Sequence, residues 1–306
     1  MGLWPSANGF GLQQTALAFS NERGSCLNVH HRLCRVLARA LTIWTVTVVG
    51  LTSCGGGIGA AAGEDGGGGD RSTLTVFAAS SLTDAFGELA TTFEERNRGV
   101  EVRQSFESSS TLLTQIKQGA RADVFASAAE EEMDAAVDDG LVAGEPEVFA
   151  TNREVILVPQ ANPANIRGMK DLAKPGVKLV LAEEGVPAAD YALAMLGKAD
   201  ADYGGGFRQD VLSNVVSREA DVRASVSRVA LGDADATLGY ASDYTPDIRD
   251  QVRLIQIPEG LNIIATYPMA TLKGAQSPEL ARRWEDLVLS DEGQRVLEKW
   301  GFEPAP

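Results

Sequence analysis

The sequence predicts an α/β fold built on largely parallel sheets, on three observations. Short β-type runs alternate with amphipathic stretches at helical spacing. Helices follow strands one by one rather than in separate blocks, which is the order of βαβ units. The composition, 44% hydrophobic and 23% charged over 306 residues, is that of a globular chain of one to two domains. Taken in order, Leu74 to Ala79 is the first strand, and Leu82, Phe86, Leu89, Ala90 and Phe93 then recur on one helical face. Gly99 to Phe106 alternates as a second strand, and Ser108 to Thr111 opens a helix carrying Leu112, Leu113, Ile116 and Ala120. Val124 to Ala126 is a third strand and Glu130 to Asp139 a helix. Val155 to Pro159 and Lys178 to Ala182 are apolar strands, and helices are expected over 186–197, 221–231 and 278–300. No internal repeat is visible.

The N-terminal part reads as an address. Arg32, Arg35 and Arg39 flank a mostly apolar stretch over 40–53, too short for a membrane span of roughly 20 residues, so it reads as the core of a signal peptide. It ends Leu51-Thr52-Ser53-Cys54, which resembles the lipobox of bacterial lipoproteins and implies lipidation at Cys54. No twin arginine appears, which points to the general secretory route. Residues 1–31 exceed a usual charged leader and are not expected to belong to the folded body. Residues 55–72 are a glycine-rich tether, with an end-to-end distance of roughly 23 Å as a flexible chain.

Charge and residue usage exclude much chemistry. The net charge is −15, and removing 1–54 makes the body more acidic, so a nucleic-acid partner is not expected. The cysteines are Cys26, Cys34 and Cys54, and the histidines His30 and His31, all upstream of the body. A Ser-His-Asp triad, a Cys-His pair and a His-containing zinc site are therefore excluded from it. No Gly-x-Ser-x-Gly elbow is present, so the body is not expected to be an enzyme, although a Ser-Lys dyad is formally open.

Parallel α/β sheets bind ligands beyond the carboxyl ends of strands. Two such junctions are serine clusters, Ser80-Ser81 after Phe77-Ala78-Ala79 and Ser108-Ser109-Ser110 after Phe106-Glu107. A helix N-terminus presents free backbone N–H groups and partial positive charge, and added hydroxyls make an anion receptor without Lys or Arg. The plainer reading is that these serines are N-caps; Ser81-Leu82-Thr83-Asp84 has the pattern of a capping box.

The segments Val76 to Ala85 and Ser105 to Thr111 resemble the first two ligand loops of the periplasmic molybdate-binding proteins, receptors of molybdate/tungstate ABC importers. Ala122 to Ala128, Gly185-Val186-Pro187-Ala188, Ala220-Asp221-Val222-Arg223, Leu238 to Asp243 and Gly301-Phe302 follow in the same order. The resemblance spans about 73–303. It implies a two-lobed, type II-like periplasmic binding protein, each lobe a mostly parallel or mixed sheet flanked by helices. Lobe one would comprise 73–154 plus 266–306 and lobe two 155–265, with hinge crossovers near 153–156 and 264–268. It implies oxyanion contacts from the hydroxyls and N–H groups of Ser81 and Ser109, the N–H of Ala188, the N–H of Val222 and the phenol of Tyr240. The metal would be held as its oxyanion, with no direct protein–metal bond and no cofactor. The partners implied are the oxyanion, an ABC permease and, through Cys54, the outer face of the cell membrane, for a monomeric receptor.

Two departures stand out. Ala189 replaces a frequent glycine, and Asp190 and Glu184 lie close by, both expected in solvent. The stretch 197–217, with Gly204-Gly205-Gly206, reads as a surface loop insertion. With neutral donors only, binding is expected to change little between pH 6 and 8, and selection against sulfate would rest on cavity size. A sulfate or phosphate receptor of the same architecture, a ferric-ion receptor using Tyr240, Asp243 and Tyr244, and a purely structural lipoprotein are the competing readings.

Overall fold

A computed structural model describes residues 72–305. The signal segment 1–54, Cys54 and nearly all of the tether lie outside the described residues.

Strand β1 (Ser72–Ala79) runs parallel to β2 (Val100–Glu107) and to β3 (Val124–Ala126). Helix α1 (Thr83–Arg96) connects β1 to β2, α2 (Ser109–Lys117) connects β2 to β3, and α3 (Glu130–Asp138) follows β3. These elements carry the apolar periodicity read in the sequence: Phe86, Leu89, Ala90 and Phe93 of α1 are all buried. Around them Trp284 stacks edge-on against Phe86 and Phe93, at 5.3 and 5.7 Å between centroids.

Strand β4 (Glu147–Pro159) belongs to two sheets. Its first half pairs antiparallel with β9 (Ile264–Thr271), ending at Arg153 opposite Ile264. From Glu154 onward it pairs with β7 (Ala236–Tyr240) and from Val155 with β8 (Val252–Gln256). The first sheet thus has the order β2-β1-β3-β9-β4, with β10 (Glu303–Pro304) also on β4. The second continues β4-β7-β5-β6, where β5 (Leu179–Ala182) is parallel to both β6 (Val215–Glu219) and β7. Helix α4 (Pro187–Tyr203) follows β5, α5 (Phe207–Ser213) leads into β6, and α6 (Val222–Ala230) joins β6 to β7.

Three expectations need correction. The stretch 197–217 is not a surface loop: α4 runs on to Tyr203, α5 and the start of β6 follow, and Ala199, Phe207 and Val211 are buried. Gly204 and Gly206, both at positive φ, make the sharp break between two helices rather than the middle of a loop. The helix expected over 278–300 is two, α7 (Pro278–Leu289) and α8 (Asp291–Lys299). Ser290 is extended at φ −68°, ψ 159°, and its hydroxyl caps α8 by accepting the Gly293 N–H. Finally, β6 to β10 are strands that the periodicity did not single out, and β7, β8, β9 and β10, antiparallel to β4, give the mixed sheets that the resemblance allowed.

Candidate functional site

The parallel registers set the site. Ala79 pairs with Glu107 at the ends of β1 and β2, so the two serine clusters emerge side by side at the carboxyl edge of the first sheet. In the second sheet β5, β6 and β7 end in the same sense and deliver Ala188, Val222 and Tyr240. All five residues predicted for the site are buried, none more than 3% exposed. Ala188, Val222 and Tyr240 share one apolar cluster with Ala78, Ala79 and Leu82 of the first sheet's edge. The α6 N-terminus packs on the 3-10 turn Ser80–Leu82 that carries Ser81.

The capping reading holds for one serine cluster and not for the other, and in neither is the predicted ligand serine the cap. Ser81 caps no helix, and α1 begins at Thr83 without a side-chain cap. Ser108, not Ser109, caps α2 by accepting the Thr111 N–H at 3.1 Å. The Ser109 hydroxyl accepts the Ala128 N–H at 2.9 Å, which leaves its own proton free to donate. Ser81 Oγ lies 2.9 Å from Tyr267 Oη, a contact in which either hydroxyl can donate, and Asn152, which faces the same phenol, donates its amide to Ser242 Oγ at 2.8 Å. Where the phenol donates, Ser81 keeps its own proton for a ligand. Sequence reasoning missed Tyr267 and Asn152, because only the pairing of β4 with β9, and of β9 with β3 beside β1, brings them to Ser81.

Ala188 is the second residue of α4 and Val222 the first of α6, so both N–H groups belong to first helical turns, where donors lack intrahelical partners. Asp221 caps α6 by accepting the Ala224 N–H, and so does not compete for the Val222 N–H. Tyr240 stacks edge-on between Tyr267, at 5.9 Å, and Tyr191, at 6.5 Å. Its Oη is buried without a protein partner, and burial pushes its pKa well above the ordinary tyrosine value. It is therefore a neutral donor at every physiological pH.

Charges border the cluster. Arg223 of α6 forms ion pairs with Asp84 of α1 and, at 3.3 Å, with Asp243, joining elements that follow the two sheets' ligand edges. Burial pushes Asp243 up to about 6 despite the attraction of Arg223 and the Tyr240 N–H it accepts. Glu184 is exposed and pairs with Arg218, while Asp190 accepts the Gly185 N–H at 3.3 Å, so each carboxylate has a partner near the α4 N-terminus. Tyr244 packs in a different cluster from Tyr240, against Val229 and Val252, and among the described residues no group of three or more His, Cys, Asp or Glu could hold a metal ion. No lysine bonds Ser81 or Ser109 among their hydrogen bonds. A surface groove of about 320 Å³ between Gly144 and Arg282 touches none of the five residues.

Buried neutral O–H and N–H donors suit an anion that carries its charge with it: oriented dipoles stabilise it without a counter-cation. Comparison with known proteins agrees with this fold. The molybdate-binding protein ModA of Mycobacterium tuberculosis is 37% identical over 255 residues, covering 83% of this chain and 93% of the relative. ModA of Escherichia coli is 31% identical over 240 residues, covering 76% and 90%. Among solved structures, the periplasmic molybdate-binding protein of Azotobacter vinelandii matches at TM-score 0.67 and 18% identity, covering 76% of this chain and 100% of that one. The sulfate-binding protein SubI of Mycobacterium tuberculosis matches at TM-score 0.68 and 19% identity, covering 76% and 87%; both structures speak to the fold alone. Residues 74–303 match the family described as bacterial extracellular solute-binding protein, and the chain belongs to that family.

Proposed function

We propose that this protein is an extracytoplasmic receptor that binds molybdate, and tungstate with it, and delivers the anion to an ABC importer. What supports the reading is a set of buried donors at the ends of strands in both sheets: the hydroxyls of Ser81 and Ser109, the first-turn N–H groups of Ala188 and Val222, and the unpartnered Tyr240 Oη. These buried neutral donors, with no lysine bonded to Ser81 or Ser109 among the described hydrogen bonds, favour capture over catalysis. In this reading, 73–154 with 266–306 and 155–265 are lobes that close on the anion, hinged near 153–156, where β4 passes between the sheets, and near 264–268. The closed state is selected because only it makes every contact. Cys54 would carry the lipid that holds a monomeric receptor at the membrane beside its permease. Among the described residues no helix is long and apolar enough to cross a membrane.

Thermal unfolding of the protein with molybdate, tungstate, sulfate and phosphate in turn tests this. A ligand at about 1,000 times its Kd stabilises the native state by about 4 kcal/mol, or roughly 10 °C for a chain of this size. That shift with molybdate and tungstate but not sulfate, lost in Ser81→Ala, is the expected result. A shift with sulfate or phosphate alone would reassign the anion, and no shift with any of the four would overturn the reading.

A further inference from the structure

Glu154 is the first residue of β4 to enter the second sheet, directly opposite Tyr240. Residues two apart on a strand share a face, so Glu154 lies in line with Ile156 and Val158, which pack on Ala192, Met195 and Leu196 of α4. It therefore ends that row at the α4 N-terminal turn, where Tyr191 and Ala188 sit. Its backbone is clamped by Asn262, whose amide donates to Glu154 O at 2.7 Å and accepts the Glu154 N–H at 3.1 Å. Its side chain is fully buried, and neither carboxyl oxygen has a protein partner. The neighbouring Tyr240 Oη is unpartnered as well.

We propose that Glu154 is a sixth residue of the anion site and that it acts there as a protonated carboxyl, donating its O–H to the bound oxyanion beside Tyr240. This rests on the oxyanion reading of the site. A buried carboxylate without a cation is costly, and beside a dianion it would be repelled; the neutral acid adds a donor instead. The groups facing it agree. Tyr240 of β7 and Tyr191 of α4 are neutral phenols, and Asp243, in the turn after β7, adds negative charge whose compensation by Arg223 lies on Asp243 itself. The Lys198 ammonium of α4 is bonded to the Asn262 carbonyl. Burial, then Asp243, push the Glu154 pKa well above the ordinary carboxylate range. The pH-independent binding expected from neutral donors alone thus acquires one titratable donor.

The test is calorimetric titration of the full chain with molybdate between pH 6 and pH 10, each point in two buffers of different ionisation enthalpy. Wild-type affinity is expected to fall with rising pH, by up to about tenfold per pH unit, with uptake of up to about one proton per anion. Glu154→Gln keeps a donor and is expected to bind with no such pH dependence, which separates Glu154 from Asp243 and Glu132. Glu154→Leu is expected to bind about tenfold or more weakly than wild type at pH 6. Equal pH profiles for wild type and Glu154→Gln, or wild-type affinity in Glu154→Leu, would overturn the proposal. Should either variant misfold, the wild-type proton count decides alone, and no uptake anywhere in the range refutes it. Absence of any molybdate binding by wild type would instead remove the function on which the proposal stands.

Discussion

Glu132, the third residue of α3, offers the sharpest test of the electrostatics. It is 8% exposed, and its Oε2 has no partner. Burial pushes its pKa from 4.5 up to about 7, its own backbone N–H partly opposes this, and Glu131 and Asp190 add repulsion. A raised acid pKa means that the native state holds the proton after the unfolded chain has lost it. Stability is thus unaffected below about pH 4.5 and declines as pH rises to about 7. At about 1.4 kcal/mol for each pH unit, the loss is about 3 kcal/mol at its largest, less whatever local rearrangement relieves. Glu132→Gln keeps the shape and removes the titration. Urea unfolding at pH 4.5 and pH 8 should show equal stabilities at the lower pH, with the variant more stable by up to about 3 kcal/mol at the higher, or roughly 6–12 °C in Tm. A gap of the same size at both pH values, or none at pH 8, would refute the argument.

Two further outcomes follow from packing and from the hydroxyl network. A Cβ at Gly293 would lie 2.2 Å from Leu287 O and 2.4 Å from Val288 O, so Gly293→Ala must force α7 and α8 apart. It should cost about 3 kcal/mol or more in urea unfolding, and a loss under about 1 kcal/mol would contradict the turn geometry. Tyr267→Phe removes the partner of Ser81 Oγ and should weaken anion binding about three- to tenfold by calorimetry, from a net hydrogen bond of about 1 kcal/mol. Unchanged affinity would show that Ser81 needs no such orientation.

The local half of this fold was legible because it rests on periodicity. Val76, Phe86, Leu112 and Phe125 recur where a βαβ chain needs them, and all are buried on the expected elements. Helix ends were less legible. The continuous apolar pattern of 278–300 concealed the break at Ser290, because α7 and α8 each have an apolar face and only a cap and one close-packed glycine part them. The run of three glycines suggested a loop, since composition does not distinguish a three-residue helix break from a long excursion.

At the site the division has the same cause. Ser81, Ser109, Ala188, Val222 and Tyr240 were named from motifs at strand ends, where a short segment carries both the turn and the donor. The partners that orient these donors are far away in sequence: Tyr267 is 186 residues from Ser81, and Ala128 is 19 from Ser109. Glu154 looked like an ordinary charged residue at the start of a strand, and its meaning depends on burial and on the register that sets it opposite Tyr240. Strand and helix identity, the excluded chemistries and the donor types follow from local residue pattern. Which hydroxyls meet, which carboxyl loses its solvent and which residues face one another follow from β4 crossing between two sheets, a long-range pairing that no local pattern encodes.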